Sequence, residues 1–579
     1  MAPCTARTLA VSALALLALS LWATTRELAS GRDHHRAHYA GAASCSRCHP
    51  KHAESFRRTF HRTMTQIASE TSVLGDFGGA TLDYFGVRAQ MERDPLGNFI
   101  LRYGSHRIPE RRWVIKKTVG SRRYQQYIAQ VGDELLRLPV AWHIEEQRWF
   151  HMNGAFLTPD PSPETALDAN DYERHVTRWN DNCVFCHNVA PNPGKQLGVG
   201  GEPHFSTSVA EHGIACEACH GPGREHGRVN QNPLRRYLLH ASDRPDPTIV
   251  QPERLPPDRS LDLCGRCHGQ RITSDVEAFL RQGDPFVAGD SLAQYSAPIW
   301  RDTPLHGDAS SFEARFWPDG TPRLTAYEYQ GVLLSACAQQ GPLTCLDCHA
   351  MHEGDPRGQL RPDKTATTMC TDCHSTLRSS KARAAHHQHP PGADTPSCLD
   401  CHMPKIVYGV LDVHRSHRIA SPDPAREGEK QRPDACTLCH VDRTRAWAAR
   451  ERDRLWSASV PEPPTTPWSE VETALFTGDP IARAVAAAAL EHSPLRIRGE
   501  DRVASLLLDV MEHDPYPAIR HLALRALKEP VAFTPEWPQE QRRVAIERLY
   551  RERRLSRPDA KVIDALRAQA RKLDISIGE

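Results

Sequence analysis

The chain has 579 residues, and its 72 lysines and arginines almost balance its 71 aspartates and glutamates, leaving a formal charge of +1. Because so small a charge creates no global field that would hold a polyanion, we expect no nucleic-acid partner. A hydrophobic content of 39% allows globular cores but excludes a polytopic membrane protein and a disordered chain.

The first 30 residues predict an export segment. Arg7 precedes an apolar run over 9–23, and these 15 residues suit a signal-peptide core better than a membrane span of about 20 residues. We therefore expect 1–30 to be a signal peptide. An N-terminal membrane anchor is the alternative, because 18–20 is only a passable cleavage site. Cys4 lies before the apolar run, so it is not a lipoprotein cysteine.

Residues 75–160 predict a small antiparallel β-subdomain. Segments such as "NFILRY", "RRWVIKK" and "YQQYIAQV" are short, rich in aromatic and β-branched residues, and bounded by Gly or Pro. We expect the aromatic side chains of this region to form a core.

The C-terminal part predicts helices. "DRTRAWAARERDRLW" indicates one helix, and 458–467 is a Pro-rich linker. In 468–579, "RAVAAAAL" and "RHLALRAL" share R-x-x-A-x-x-A-L, and each follows an Asp-Pro pair. Such a repeat favours a HEAT-like helical repeat domain, which would dock redox partner proteins. An ordinary Ala-rich helical bundle is the alternative.

A repeated motif dominates 31–457. Cys-x-x-Cys-His occurs eight times and uses 16 of the 18 cysteines, leaving Cys4 and Cys337. Its cysteines are Cys45, Cys48, Cys183, Cys186, Cys216, Cys219, Cys264, Cys267, Cys345, Cys348, Cys370, Cys373, Cys398, Cys401, Cys436 and Cys439. Its histidines are His49, His187, His220, His268, His349, His374, His402 and His440. We expect Cys337 to be a buried small apolar residue.

The histidine after each cysteine pair indicates what the motif binds. Zinc sites and disulfides use Cys-x-x-Cys without any rule about the next residue. Given the histidine content of this chain, eight such histidines by chance have a probability on the order of 1 in 10^10. In c-type haem attachment, two thiols bond the porphyrin while the adjacent imidazole reaches the iron from the same side. We therefore interpret the motifs as sites for eight c-type haems, with the motif histidines as proximal iron ligands.

Haem attachment of this kind is extracytoplasmic in bacteria, which agrees with the export segment. We expect the protein in the periplasm or at the outer face of the cytoplasmic membrane.

The fold class expected is mainly α, with little regular secondary structure around the haems, beside the β-subdomain and the C-terminal helical repeat domain. Since motifs five to eight follow one another closely, their haems should be neighbours.

Spare histidines supply candidates for the second axial position of each iron, which low-spin electron-transfer haems fill with His or Met. Those that stand out by position are His61, His175, His226, His352, His386, His387, His389, His414 and His417. An amphipathic helix starting at the first motif would present His61. The sequence does not say which histidine serves which iron.

Residues 41–447 resemble a bacterial family of exported multihaem cytochromes, of the cytochrome c-552/4-like type with doubled CxxCH motifs, in which HEAT or tetratricopeptide repeats follow the haem region. The matching segments include "WNDNCVFCHN", "GIACEACHGPGREH", "TCLDCHAMHEGD", "HHQHPPGADTPSCLDCHMPKIVYGVLDVHRSHRI" and "DACTLCH". More distantly, the haem packing resembles hydroxylamine oxidoreductase and octahaem reductases. The resemblance supports all of the distal candidates except His414, where relatives usually have another residue, and it supports His175 more weakly than the others.

Two functions follow from these residues. Eight haems with ample spare imidazoles favour an electron-transfer protein over an enzyme. The alternative is an octahaem oxidoreductase in which one open-site haem acts on nitrite, hydroxylamine or tetrathionate. Its site would be motif one or motif four, since motif four has no nearby imidazole in the sequence. Arg266 and Arg271 flank motif four; we expect them to contact haem propionates, with anion binding as the alternative.

Overall fold

The computed structural model describes residues 38–161, 173, 176–304, 311–392, 395–425, 432–457, 466–492 and 500–570. The export segment 1–30, the distal candidate His175 and 458–465 of the expected linker lie outside the described residues. Among the helices described, none is long and apolar enough to span a bilayer.

A large antiparallel sheet dominates the N-terminal part. Its strands are β1 (Thr65–Ile67), β2 (Ala80–Tyr84), β3 (Val87–Arg93), β4 (Phe99–Gly104), β5 (Arg111–Val119), β6 (Tyr124–Val131), β7 (Glu134–His143), β8 (Arg148–His151) and β9 (Thr177–Arg178). Strands β2 to β8 pair in sequence order, while β1 joins β5 and β9 joins β7. Because β2 also contacts β8, the sheet is nearly closed.

The alternating burial of the strands explains why they form this sheet. In β3, Val87, Ala89 and Met91 are buried and Arg88 is exposed, so one face packs inward. The buried faces enclose an aromatic core that includes Trp113. The aromatic residues of this region are therefore core residues, as the sequence indicates.

Short two-stranded sheets lie between the motifs. Their strands are β10 (Asn188–Val189), β11 (Lys195–Leu197), β12 (Pro203–Phe205), β13 (Glu211–His212), β14 (Arg271–Thr273), β15 (Ser296–Pro298), β16 (Lys405–Gly409) and β17 (Asp412–Arg415). They pair as β10–β13, β11–β12, β14–β15 and β16–β17.

Helices in the motif region are mostly short. They are Ala42–Cys45, Pro50–Arg57, Met152–Ala155, Cys216–His220, Arg224–Val229, Pro233–Ser242, Pro257–His268, Val276–Gln282, Glu328–Leu333, Ala336–Gln339, Thr368–Thr371, Ser380–His387, Cys398–His402 and Arg445–Trp456. With the nearly closed sheet beside them, they give a mixed α/β structure. The chain is thus not plainly mainly α as expected, because the β region curls into a nearly closed sheet and further β-pairs lie between the motifs.

The C-terminal helices are Glu470–Thr477, Pro480–His492, Glu500–His513, Pro517–Ala526, Gln539–Glu552 and Ala560–Arg567. The two helices that carry the R-x-x-A-x-x-A-L repeat pack against each other through buried alanines such as Ala484 and Ala523. Small side chains allow this close approach. Whether these helices form a HEAT-like repeat stays a prediction.

The C-terminal helices share one hydrophobic core with the rest of the chain. That core joins Leu522 and Val485 to Phe150 on β8 and to Tyr408 on β16. Asp160 fastens the contact, because its carboxylate accepts hydrogen bonds from Arg520 at 2.8 and 2.9 Å and from Arg542 at 2.9 Å. The helices are therefore packed onto the motif region.

Candidate functional site

Most Cys-x-x-Cys-His motifs fold as a short helix or turn, and motif four forms the end of helix Pro257–His268. In motifs one, five, six and eight, the histidine N–H donates to the carbonyl of the first cysteine four residues earlier, at 2.9 Å for His49, His349 and His374 and at 2.8 Å for His440. One helical turn places residues three and four apart on the same side. The two thiols and the imidazole of a motif therefore face the same way, as covalent haem attachment requires.

The first five motifs line one large cavity of about 3000 Å³. Typical small-molecule pockets have about 300–1,000 Å³, so this volume suits several large cofactors side by side. The distal candidates His61, His226, His352 and His417 line the same cavity. The segments that carry these five motifs therefore surround one shared cavity.

Five motif histidines lie opposite a second histidine. The ring-centre separations are 6.3 Å for His49 and His226, 6.2 Å for His220 and His352, 6.0 Å for His268 and His61, 6.1 Å for His402 and His386, and 6.2 Å for His440 and His389.

This separation fits two imidazoles on opposite sides of one metal ion. An imidazole nitrogen bonds a transition metal at about 2.0–2.1 Å, as in zinc sites, and lies about 1.1 Å from its ring centre, so two trans ligands place their ring centres about 6.3 Å apart. The observed range of 6.0–6.3 Å matches this value. The ring planes differ by 12–30° in four pairs and by 75° in the pair of His61 and His268. These residues therefore fit haem iron.

Hydrogen bonds at Nδ1 orient several of these rings. His220 donates to the Val250 carbonyl at 2.7 Å, and His402 lies 3.0 Å from that of Ala420. The Nδ1 atom of His226 lies 3.2 Å from a carboxylate oxygen of Asp246, which also binds the buried Arg235. An Nδ1–H fixed in this way leaves Nε2 free for a metal, which is the usual arrangement around metal-bound histidine.

Burial keeps two of the candidate ligands in the neutral form that a metal needs. Desolvation lowers the pKa of His61 and of His187 to about 4 in each case, and neighbouring histidines, with Arg137 beside His187, act in the same direction. Both imidazoles are therefore uncharged near pH 7, and each can offer a lone pair. His268 differs, because burial lowers its pKa but the effect of Glu328 outweighs burial and raises the pKa to about 9.

Motifs two, five and six lack a ring pair of this kind among the residues that the structure describes. His349 of motif five lies close to His417, which lowers its pKa after the larger effect of burial. His187 of motif two lies near the buried Arg137. His374 of motif six is exposed.

Thiols that shift one another's pKa indicate which motifs are neighbours. The larger effects join Cys45 with Cys216, Cys186 with Cys267, Cys264 with Cys345, and Cys370 with Cys398. Weaker electrostatic effects join Cys219 with Cys267, Cys370 with Cys348, and Cys401 with Cys439. The motifs thus form one series, in the order one, three, four, five, six, seven and eight, with motif two beside motif four.

The pairing corrects the suspicion that motif four lacks an imidazole. His61 lies 6.0 Å from His268, although it comes from the segment after motif one. The helix Pro50–Arg57 ends before His61, which follows in a turn with its ring beside that of His268. The expected helix that would present His61 to the first motif therefore stops too early.

Other histidines take different places. His52, which the sequence reasoning missed, lies 4.6 Å from His352 and 6.3 Å from His49, ring centre to ring centre. His387 contacts the ring of His389 at 5.9 Å. His414 accepts a hydrogen bond from Arg123, and burial lowers its pKa to about 4. Its position in an arginine network agrees with dropping it from the candidates.

The remaining sequence expectations concern single residues. Arg266 and Arg271 both bind the buried Asp284, with Nε of Arg266 2.9 Å from Oδ2. Because two cations share one carboxylate, positive charge remains at the cavity wall beside motif four.

Cys337 is partly exposed and lies near Cys348, so it is not fully buried.

A cluster outside the motifs consists of His143, Glu146 and His521, whose ligand atoms lie within 4.8 Å of one another. Arg148 donates to Nδ1 of His521 at 2.8 Å and to Glu146 at 2.6 Å. A guanidinium between these groups supplies the charge that a cation would bring. The cluster is therefore a hydrogen-bonded contact between the sheet and helix Pro517–Ala526.

No protein-family model matches the chain, and a search of curated proteins finds no match. Among solved structures, the chain is similar to the crystal structure of the outer cell wall cytochrome OcwA, with 17% sequence identity and a TM-score of 0.46. The comparison covers 87% of this chain and 99% of that chain. At this TM-score the likeness carries no weight for the function of this chain.

Proposed function

We propose that the protein is an exported multihaem c-type cytochrome that carries electrons through eight covalently bound haems. The observation that carries this proposal is the set of five imidazole pairs with ring centres 6.0–6.3 Å apart, each containing one motif histidine. Zinc sites and disulfides give no reason for a second imidazole at this distance behind a Cys-x-x-Cys-His motif.

The chain's own residues have separate tasks in this function. The sixteen motif thiols would hold the porphyrins, and the paired imidazoles would ligate the irons. Each haem supplies an iron that alternates between the ferric and ferrous states. Two strong ligands on an iron exclude small molecules from it, which favours electron transfer over substrate binding.

The neighbour order of the motifs supports a conducting role. Electrostatic effects between thiols join seven motifs in series and motif two to motif four, so each haem would have at least one other haem close by. Motif two lies beside motif four, next to Cys267, and would form a branch. Redox partner proteins would then exchange electrons with whichever haems reach the surface.

Reductive titration of the purified holo-protein tests the proposal. The protein should accept eight electrons per chain, with the absorbance change of low-spin c-type haem at every step. The double variant Cys264→Ala/Cys267→Ala should accept seven. A chain that binds zinc or accepts no electrons would contradict the proposal. A haem that turns high-spin and shifts with nitrite or hydroxylamine would favour the oxidoreductase alternative.

A further inference from the structure

Motif six combines an exposed second cysteine and histidine, which motif one also has, with a position outside the wall of the large cavity, which motifs seven and eight share. Cys373 and His374 are both exposed and are followed by the exposed Ser375 and Thr376. Motifs one to five contribute their cysteines and histidine to the wall of the large cavity, whereas those of motif six do not. A haem held here would lie at the protein surface.

Positive charge surrounds this motif. Residues 361–383 contain five cations and two carboxylates. Each carboxylate already has a partner, since Asp363 binds Arg361 at 3.0 and 3.1 Å and Asp372 binds Lys364. The cations that remain are Arg378, Lys381 and Arg383.

The backbone holds two of these cations in place. Arg378 donates to the carbonyls of Thr371 and Asp372, at 3.3 Å in both cases, and Arg383 donates to the carbonyls of Leu377 and Arg378 at 3.1 and 2.6 Å. Carbonyl groups fix a guanidinium without cancelling its charge. Within the described part of the chain, none of the three cations contacts a carboxylate. The patch therefore keeps its positive charge.

We propose that motif six is an entry and exit point for electrons, and that Arg378, Lys381 and Arg383 form a docking surface for an acidic redox protein. This inference rests on the proposed function, because it requires a haem at motif six. A charged patch beside a surface redox centre steers a partner of opposite charge and raises the rate of encounter. The haems of the neighbouring motifs five and seven, attached at Cys348 and Cys398, would pass the electron in either direction.

Small redox ions of opposite charge test the surface. Ferricyanide serves as the anionic probe and hexaammineruthenium(III) as the cationic probe, each taking one electron from a ferrous haem. Stopped-flow oxidation of the fully reduced holo-protein is measured at low and at high ionic strength. Lys381→Glu reverses a charge, and Thr376→Glu adds one without removing any side-chain cation. Lys561→Glu makes the same reversal on a distant, exposed helix end.

The expected result is a fall of about threefold or more in the ferricyanide rate for both patch variants, with an unchanged or higher ruthenium rate. The effect should vanish at high ionic strength, and Lys561→Glu should behave like the parent protein. Unchanged rates in the patch variants, with eight haems still present by mass, would overturn the proposed docking surface. The cations would then be assigned to haem propionates, and the proposed electron-transfer function would be unaffected. Absence of the haem from motif six in the parent protein would refute the proposed function itself.

Discussion

The end of helix Ser380–His387 offers a sharp test of ligand pairing. His386 lies on the helix opposite His402, whereas His389 follows the helix and lies opposite His440. Gln388 between them adopts a left-handed conformation with φ of 55°, which reverses the chain direction and sends His389 toward a different motif. Under the proposed function, this one short segment would therefore supply a ligand to each of two irons.

Replacing either histidine with alanine should free one axial position on one iron. His386→Ala and His389→Ala should each convert one of the eight haems from low-spin to high-spin, and the double variant should convert two. The two effects should add, because the ring separations of 6.1 and 6.2 Å assign the side chains to separate irons.

Electron paramagnetic resonance of the oxidised holo-protein, with spin quantification, measures the conversion. His204→Ala is the matched control, because this exposed histidine lies outside the motifs and forms ion pairs with Asp133 and Glu202. A variant that loses no low-spin signal would refute the pairing at that motif. Loss of two low-spin haems from one substitution would refute the separation of the two ligands.

Three further predictions concern the ring geometry and the packing of the C-terminal helices. The 75° between the ring planes of His61 and His268 should give the low-spin signal with the largest g value, and His61→Ala should remove that signal alone while a high-spin signal appears. Asp160→Asn should lower the free energy of unfolding, measured by chemical denaturation, by about 3 kcal/mol, because it leaves buried arginines without their carboxylate. The control Asp83→Asn, at an exposed ion pair, should lower it by less than about 1 kcal/mol. At Glu146, burial raises the pKa, but the hydrogen bonds and charges of His521 and Arg148 outweigh burial and hold the pKa below its usual value. The carboxylate therefore stabilises the fold above about pH 4.5 and loses that effect as the pH falls. Melting curves should therefore show Glu146→Gln about 3 °C less stable at pH 7 and equal to the parent in acid, and a constant gap at every pH would contradict this account.

The motifs and the sheet could be read from the sequence because both depend on local patterns. The order of two thiols and an imidazole is a geometric requirement that leaves a fixed spacing. The strands have alternating burial that matches their apolar residues, and the hairpin between β6 and β7 closes at Gly132, which takes the positive φ of 61° that a tight turn favours. Curling of the sheet could not be read, since it depends on contacts between β2 and β8.

Pairing of the imidazoles could not be predicted for a physical reason. The partner of a motif histidine need only reach the opposite face of the same porphyrin, and the chain imposes no sequence distance on that contact. His226 lies opposite the histidine of motif one although it follows motif three, and His61 lies opposite that of motif four although it follows motif one. The absence of an imidazole near motif four in the sequence therefore carried no information about its iron.

Sequence patterns also could not predict how the C-terminal helices pack against the rest of the chain. A Pro-rich segment is typical of a linker between independent domains. The structure instead joins Val485 and Leu522 to the same core as Tyr408, with Asp160 as a charged fastening. Long-range packing of this kind leaves no periodic signal in either segment.

The central claim is that most motif histidines share an iron with a second imidazole. Purified holo-protein should show eight haems by mass and by haemochrome absorbance, and the oxidised form should give low-spin signals for at least the five paired haems. A spectrum dominated by high-spin haem, or a chain that carries fewer haems than motifs, would contradict the account.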